Sequence, residues 1–293
     1  MPMTRGSLRG FTLIELVIGL VVAAVVGATA ISIAVRQEHL AFALEQIIET
    51  RRALREGVDA LRYDLRATSP PRGGIYAMGD TYVEFRMATG FSILCGLDSS
   101  RTLLVFPSRS SSVANLTSWI SAPEAGDTVM VFTAHADADS ARWDAYAMAS
   151  ATTSGRGCLA DFRAPDATAS TMAVRLTTPV PRGVGPGAAL RFVRRARYEL
   201  YKSADGGWYL GFRDCLATRA TPCAIVQPVS GPYSVGGMRF VFRDSADAPT
   251  ADPNRVTRID VMMRAASAAR LHLPGIRPGV FVDSVLFTIR PRR

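Results

Sequence analysis

Lysine is almost missing from this 293-residue chain: Lys202 is the only one among 34 basic residues, the rest being arginine. Histidine is nearly as scarce. His39, His135 and His272 are the only three, and none stands in the H-E-x-x-H spacing that places two imidazoles on one helix face for zinc. Cysteine is limited to Cys95, Cys158, Cys215 and Cys223 with no C-x-x-C pair, so neither a dithiol redox centre nor a zinc ribbon has its spacing. There is no G-x-S-x-G elbow and no S-x-x-K. Gly183-Val184-Gly185-Pro186-Gly187 comes nearest to a phosphate loop. It lacks a following Lys-Ser/Thr and a strand-to-helix setting, so it reads as a flexible connection. These absences remove the usual routes to hydrolytic, phosphoryl-transfer and redox chemistry. The chain is expected to be no enzyme, with no cofactor and no small-molecule substrate.

What is present is enough to build a core. Hydrophobic residues make up 48% of the chain, which excludes wholesale disorder. The formal net charge of +9 is spread along the sequence, as a solvated surface would carry it. One basic-aromatic cluster, Arg191, Arg194, Arg195 and Arg197 around Phe192 and Tyr198, hints at nucleic acid. In a strand, however, these side chains alternate between faces and cannot meet one ligand together, so no nucleic-acid partner is expected. Two acidic loops could offer oxygens to calcium. One holds Asp137, Asp139 and Asp144, the other Asp244, Asp247, Asp252 and Asn254. Neither has the glycine and final glutamate of the twelve-residue calcium loop, and turn-forming aspartates explain both, so no metal is expected.

The even cysteine count suggests disulfides in a domain outside the cytoplasm, with three connectivities open. Cys215–Cys223 across a short loop and Cys95–Cys158 are favoured. The chain-entropy model gives such closures about 2.5 and about 4 kcal/mol.

The long-range organisation is plainer. Phe11–Val35 is a 25-residue apolar run, more than the roughly 20 residues that cross a bilayer as a helix. Its one charge is Glu15, and a carboxylate at hydrocarbon depth costs roughly 2.5–3.5 kcal/mol on insertion scales. Something must offset that cost. Arg5 and Arg9 before the run place the N-terminus in the cytoplasm and the rest outside. Gly19, Ala23 and Gly27 recur every four residues, a small-residue ridge on which another helix could approach closely.

The helix is expected to continue over residues 36–69. Leu40, Leu44, Ile47, Leu54, Val58, Leu61 and Leu65 follow steps of three and four, with Arg51 at one seam position. Glu45, Glu49, Arg52, Arg55, Glu56, Asp59, Arg62 and Arg66 occupy the other face. Pro70-Pro71 and Gly73-Gly74 then end the helix.

From residue 75 onward the pattern is β. Tyr82–Met87, Thr102–Phe106, Thr128–Phe132, Met172–Leu176, Met238–Phe242, Val256–Met262 and Val280–Ile289 read as strands. Arg197–Tyr201 and Trp208–Phe212 form a hairpin about Ser203–Gly207. About eight to ten strands are expected. Loops are expected at Pro107–Pro123, Ala134–Arg142, Pro179–Gly187, Asp244–Asn254 and Ala265–Pro278. A helix followed by a run of strands predicts an α+β fold, an antiparallel β-sheet packed on the amphipathic half of the helix.

The junction Gly10-Phe11-Thr12-Leu13-Ile14-Glu15-Leu16, after a short basic leader and before the apolar run, resembles the processing motif of type IV prepilins. By size and layout the chain is similar to PilW-like minor pilins and to J-type minor pseudopilins of type II secretion. The resemblance implies a pilin-superfamily fold with residues 1–10 as a cleaved leader. It implies cutting by a prepilin peptidase after Gly10 on the cytoplasmic side, and N-methylation of Phe11 by the same enzyme. Glu15 would then pair with the Phe11 amine of a neighbour. Other pilins or pseudopilins and the inner membrane are the implied partners, with the domain at 75–293 in the periplasm and later on a pilus or pseudopilus. Ser32 stands where major pilins often carry proline, which points to a minor subunit that primes or caps a filament. Retention of Glu15 argues against the tip pseudopilins that lack it.

A different class stays open. Ala28-Thr29-Ala30 has the small-x-small form of a signal-peptidase site, so a secreted binding protein starting at Ile31 is one alternative. An uncleaved signal-anchored protein is the other.

Overall fold

The computed structural model describes residues 13–70, 73–108, 117–133, 142–154, 158, 171–216, 223–271 and 278–292. One helix, α1 (Leu13–Arg66), runs unbroken through 54 residues, about 81 Å at the usual rise. It ends where expected. Thr68 folds its hydroxyl back onto the Leu65 carbonyl at 2.7 Å, and Pro70 prevents another turn. Gly73, at a φ of 68°, then turns the chain into the sheet.

Thirteen strands follow among the described residues: β1 (Ile75–Gly79), β2 (Tyr82–Ile93), β3 (Gly96–Leu97), β4 (Leu103–Pro107), β5 (Ser118–Trp119), β6 (Thr128–Thr133), β7 (Arg142–Ser154), β8 (Thr171–Leu176), β9 (Ala189–Lys202), β10 (Trp208–Asp214), β11 (Val226–Arg243), β12 (Arg258–Leu271) and β13 (Gly279–Ile289). Every pairing between these strands is antiparallel. The architecture is α+β: one long apolar N-terminal helix whose second half packs on a large antiparallel sheet.

β9 is the spine. One edge pairs with β2 from Ala189 to Glu199. Its other edge pairs first with β6, over Leu190–Val193, and then with β10, over Ala196–Lys202. Two cores form on the two stretches. In the first, Leu54, Val58, Leu61 and Leu65 of α1 meet Phe85, Tyr198, Leu210, Phe240, Ile259, Val261 and Phe287 of the sheet. In the second, Phe106, Val129, Val131, Val174, Leu190 and Phe192 draw β4, β6, β8 and β9 around a shared interior, away from the helix.

The predicted elements are recovered with corrections. The stripe from Leu54 to Leu65 is buried, but Leu40 and Leu44 are exposed: Leu40 lies above the first buried residue, Ala43, and Leu44 faces away from the seam on which Ala43 and Thr50 are covered. Burial begins at Ala43 and continues at Thr50, Ala53 and Gly57, small residues that let the sheet come close. The opposite polar face, Glu45 to Arg66, is exposed throughout. Thirteen strands exceed the eight to ten expected, since β1, β3 and β5 are short and β7 is rich in Ala, Ser and Thr with no clean alternation. The expected loop at Ala265–Pro278 is strand as far as Leu271, and the strand expected to begin at Val256 starts at Arg258. The hairpin at Ser203–Gly207 is present. Ser203 N donates to Gly207 O at 2.8 Å, and Gly206 takes a φ of 85°.

Candidate functional site

The feature set apart from the packed domain is the first half of α1. From Leu13 to Phe42 every residue is exposed except Gly27, which is half-buried. Leu13, Ile14, Leu20 and Ile31 leave between 65% and 83% of their surface uncovered, a cost no soluble monomer would bear along a whole helix. This stretch is long and apolar enough to cross a membrane, and none of its apolar window is buried.

Its two hydroxyls are already satisfied. Thr29 Oγ1 donates to Val26 O and Ser32 Oγ to Thr29 O, each at 2.8 Å. Hydroxyls folded onto their own helix can enter lipid or a dry helix bundle at little cost. Glu15 is the acidic residue of the first turn, where the exposed N–H groups and the helix dipole favour negative charge. Gly19, Ala23 and Gly27 all lie on this half. A Cβ built on Gly19 or Gly27 would meet nothing within 4 Å, so the ridge faces open space. Gly10 and Phe11, the expected processing site, lie outside the described residues.

Below Ala43 the helix is fixed firmly to the sheet. Tyr233 donates its hydroxyl to Ala53 O at 3.0 Å and shares a 2.6 Å hydrogen bond with Ser230 Oγ. Burial raises the Tyr233 phenol to about 12, so it stays a donor at any physiological pH. Arg51, at the seam position, reaches Asp283 of β13 at 3.2 Å. The exposed and packed halves are therefore parts of one continuous helix, with the domain attached along its second half.

The other candidates resolve as structural features. Both favoured disulfides are formed, Cys95–Cys158 and Cys215–Cys223. Among the described residues, the one convergent group of metal-capable side chains is Glu84 with Cys215 and Cys223. Those sulfurs are bonded to each other and Glu84 is paired with Arg195, so the group has no ligand set to offer.

The acidic turn does not converge on a cation. Asp244 Oδ1 accepts from the N–H groups of Ala246 and Ala248, and Oδ2 accepts from Arg255. Asp247 pairs with Arg258, and Asp252 caps the turn at Asn254 N. Of the other acidic set, Asp144 lies on β7 rather than in a loop and pairs with Arg142 at 2.8 Å, while Asp137 and Asp139 lie outside the described residues. So do His135 and His272.

The basic-aromatic cluster on β9 is dispersed, as strand alternation requires. Arg194 is buried in an ion network with Asp127 at 2.6 Å, Asp214 at 3.2 Å and Glu124 at 3.3 Å. Arg195 is held by Glu84, and Arg197 by Glu199 at 2.8 Å with its guanidinium over Tyr82. Sequence reasoning missed these pairings, because Arg194 and Asp127 are 67 residues apart and only the β6–β9 pairing brings them together.

Comparison of the chain with protein-family models, with curated proteins and with solved structures returns no match.

Proposed function

We propose that this chain is a minor structural subunit of a type IV pilus-like filament, made as a prepilin and released for assembly by cleavage between Gly10 and Phe11. The observation that carries the reading is the division of one continuous helix at Ala43 into an uncovered apolar half and a half packed on the sheet. An ordinary anchor has no need to be rigidly continuous with its domain. A filament subunit does, because the helix must position the domain on the outside of a helical core.

In this reading the first half of α1 first holds the protein in the inner membrane, with the β domain on the periplasmic side. After prepilin peptidase has cut and methylated the N-terminus, the Phe11 amine of one subunit pairs with Glu15 of the next. That pairing offsets the charge that makes Glu15 unfavourable in a plain membrane helix. The ridge of Gly19, Ala23 and Gly27 is where neighbouring helices approach. Other pilins are the partners, and no catalysis is involved.

A J-type minor pseudopilin of a type II secretion system is a second reading. It is favoured over a shaft subunit by the size of the sheet, thirteen strands on a single helix.

Glu15→Ala tests the role of the charge. Processing should be intact, while incorporation into sheared filaments falls by tenfold or more, since breaking a buried pair costs about 3–5 kcal/mol. Filaments that contain the variant at the normal level contradict the pairing.

A further inference from the structure

We infer that the cavity at the foot of α1 is a binding site for a small organic carboxylate, a property that stands apart from the pilin reading. The cavity, about 180 Å³ in volume, lies where the end of the helix meets β2, β6, β7 and β9. Three guanidinium groups line it, from Arg86, Arg191 and Arg292. No acidic side chain is among its described lining residues.

That absence stands against the rule of the rest of the domain. Arg194, Arg195, Arg197, Arg213, Arg243, Arg255 and Arg258 each have a carboxylate partner. Among the described residues Arg191 and Arg292 have none, and Arg191 is half-buried. Burial and the nearby charge of Arg292 push the Arg191 guanidinium below its ordinary pKa, the direction expected where two cations lie close together. Arg292 is carried there by a backbone hydrogen bond from its N–H to Thr68 O at 2.9 Å. Ser69 also lines the cavity.

Size and wall chemistry narrow the guest. A dry cavity of about 150 Å³ holds benzene. This one has room for a body of that size, against Met130, Val193 and the Trp143 ring, over which Arg191 lies at 5.0 Å. Guanidinium forks match the planar, two-oxygen geometry of a carboxylate. The guest is therefore an acid with a small apolar body, either a free metabolite or a glutamate side chain of a neighbouring polypeptide.

The test uses the full-length protein in detergent, titrated at constant ionic strength with sodium benzoate, with N-acetylglutamate amide, and with sodium chloride as control, read by tryptophan fluorescence. A saturable response to benzoate or to N-acetylglutamate amide, absent with chloride, is expected. It should weaken at least tenfold in Arg191→Gln and also in Arg292→Gln, a surface change that leaves folding intact. Tighter binding of benzoate identifies a free acid as the guest, and tighter binding of the glutamate derivative a neighbouring chain. No saturable response to either acid, or a response unchanged in both variants, overturns the site.

Discussion

Asp64 and Tyr198 show how closely the helix is tuned to its sheet. Tyr198 OH donates to Asp64 Oδ2 at 2.7 Å inside the first core, and its ring stacks on Phe85. Burial raises the Asp64 carboxyl above its ordinary value, only partly opposed by the Tyr198 hydrogen bond. The Tyr198 phenol is raised too, by burial first and then by the charge of Asp64. An acid whose pKa is raised by folding favours the folded state most at low pH. That stabilisation declines as pH climbs from the unfolded value, near 3.9, through the higher folded one. Asp64→Asn, which still accepts the hydroxyl, should be at least as stable as the wild type at pH 7. The difference should vanish below about pH 4, measured by urea denaturation at both values. Tyr198→Phe keeps the ring contacts and strands the carboxylate, and should cost about 1–3 kcal/mol at pH 7. An unchanged denaturation midpoint in Tyr198→Phe would show that Asp64 is better solvated than its position implies.

Gly57 marks the closest approach of α1 to the sheet. A Cβ there would press on the Tyr233 hydroxyl, on Met263 Cε, and on Ser230 Oγ at 2.9 Å. Alanine in a helix interior gains about 1 kcal/mol over glycine, but overpacking costs about 1–3 kcal/mol and here also disturbs the bond from Tyr233 to Ala53. Gly57→Ala should therefore lower the melting temperature, whereas a rise would mean that the helix stands further from β11 and β12.

This contact also shows what the sequence could and could not tell. The apolar spacing from Leu54 to Leu65 was legible, because a three-four pattern can serve only one face. Leu40 and Leu44 fit the same pattern and are exposed, since periodicity shows neither how far a partner extends nor that the covered seam there runs through the small residues Ala43 and Thr50. The hairpin at Ser203–Gly207 was legible from its turn residues. Strand β7 was not, because Ala, Ser and Thr carry no alternation when both faces are half-buried. The expected assembly residues were named from local sequence, Gly19, Ala23 and Gly27 from their spacing and Glu15 from the prepilin resemblance, and all four lie on the exposed half of the helix. The arginine cavity was invisible, because its walls come from Ser69, Arg86, Met130, Trp143, Arg191 and Arg292, gathered only by folding.

Taken whole, the molecule is a rod of about 81 Å with a disulfide-braced β domain on its lower half and bare apolar surface on its upper half. Such a shape leaves the rod in need of a second environment, which in the proposed reading is first lipid and then other helices. In that reading one chemical event, exposure of the Phe11 amine, separates the two environments. Mass spectrometry of the N-terminal peptide of the mature protein, purified from cells that carry a prepilin peptidase, reads that event directly. The expected result is a chain that begins at Phe11 with a methylated amine, and that becomes uncut in Gly10→Glu. A mature protein that begins at Met1 or at Ile31 contradicts it.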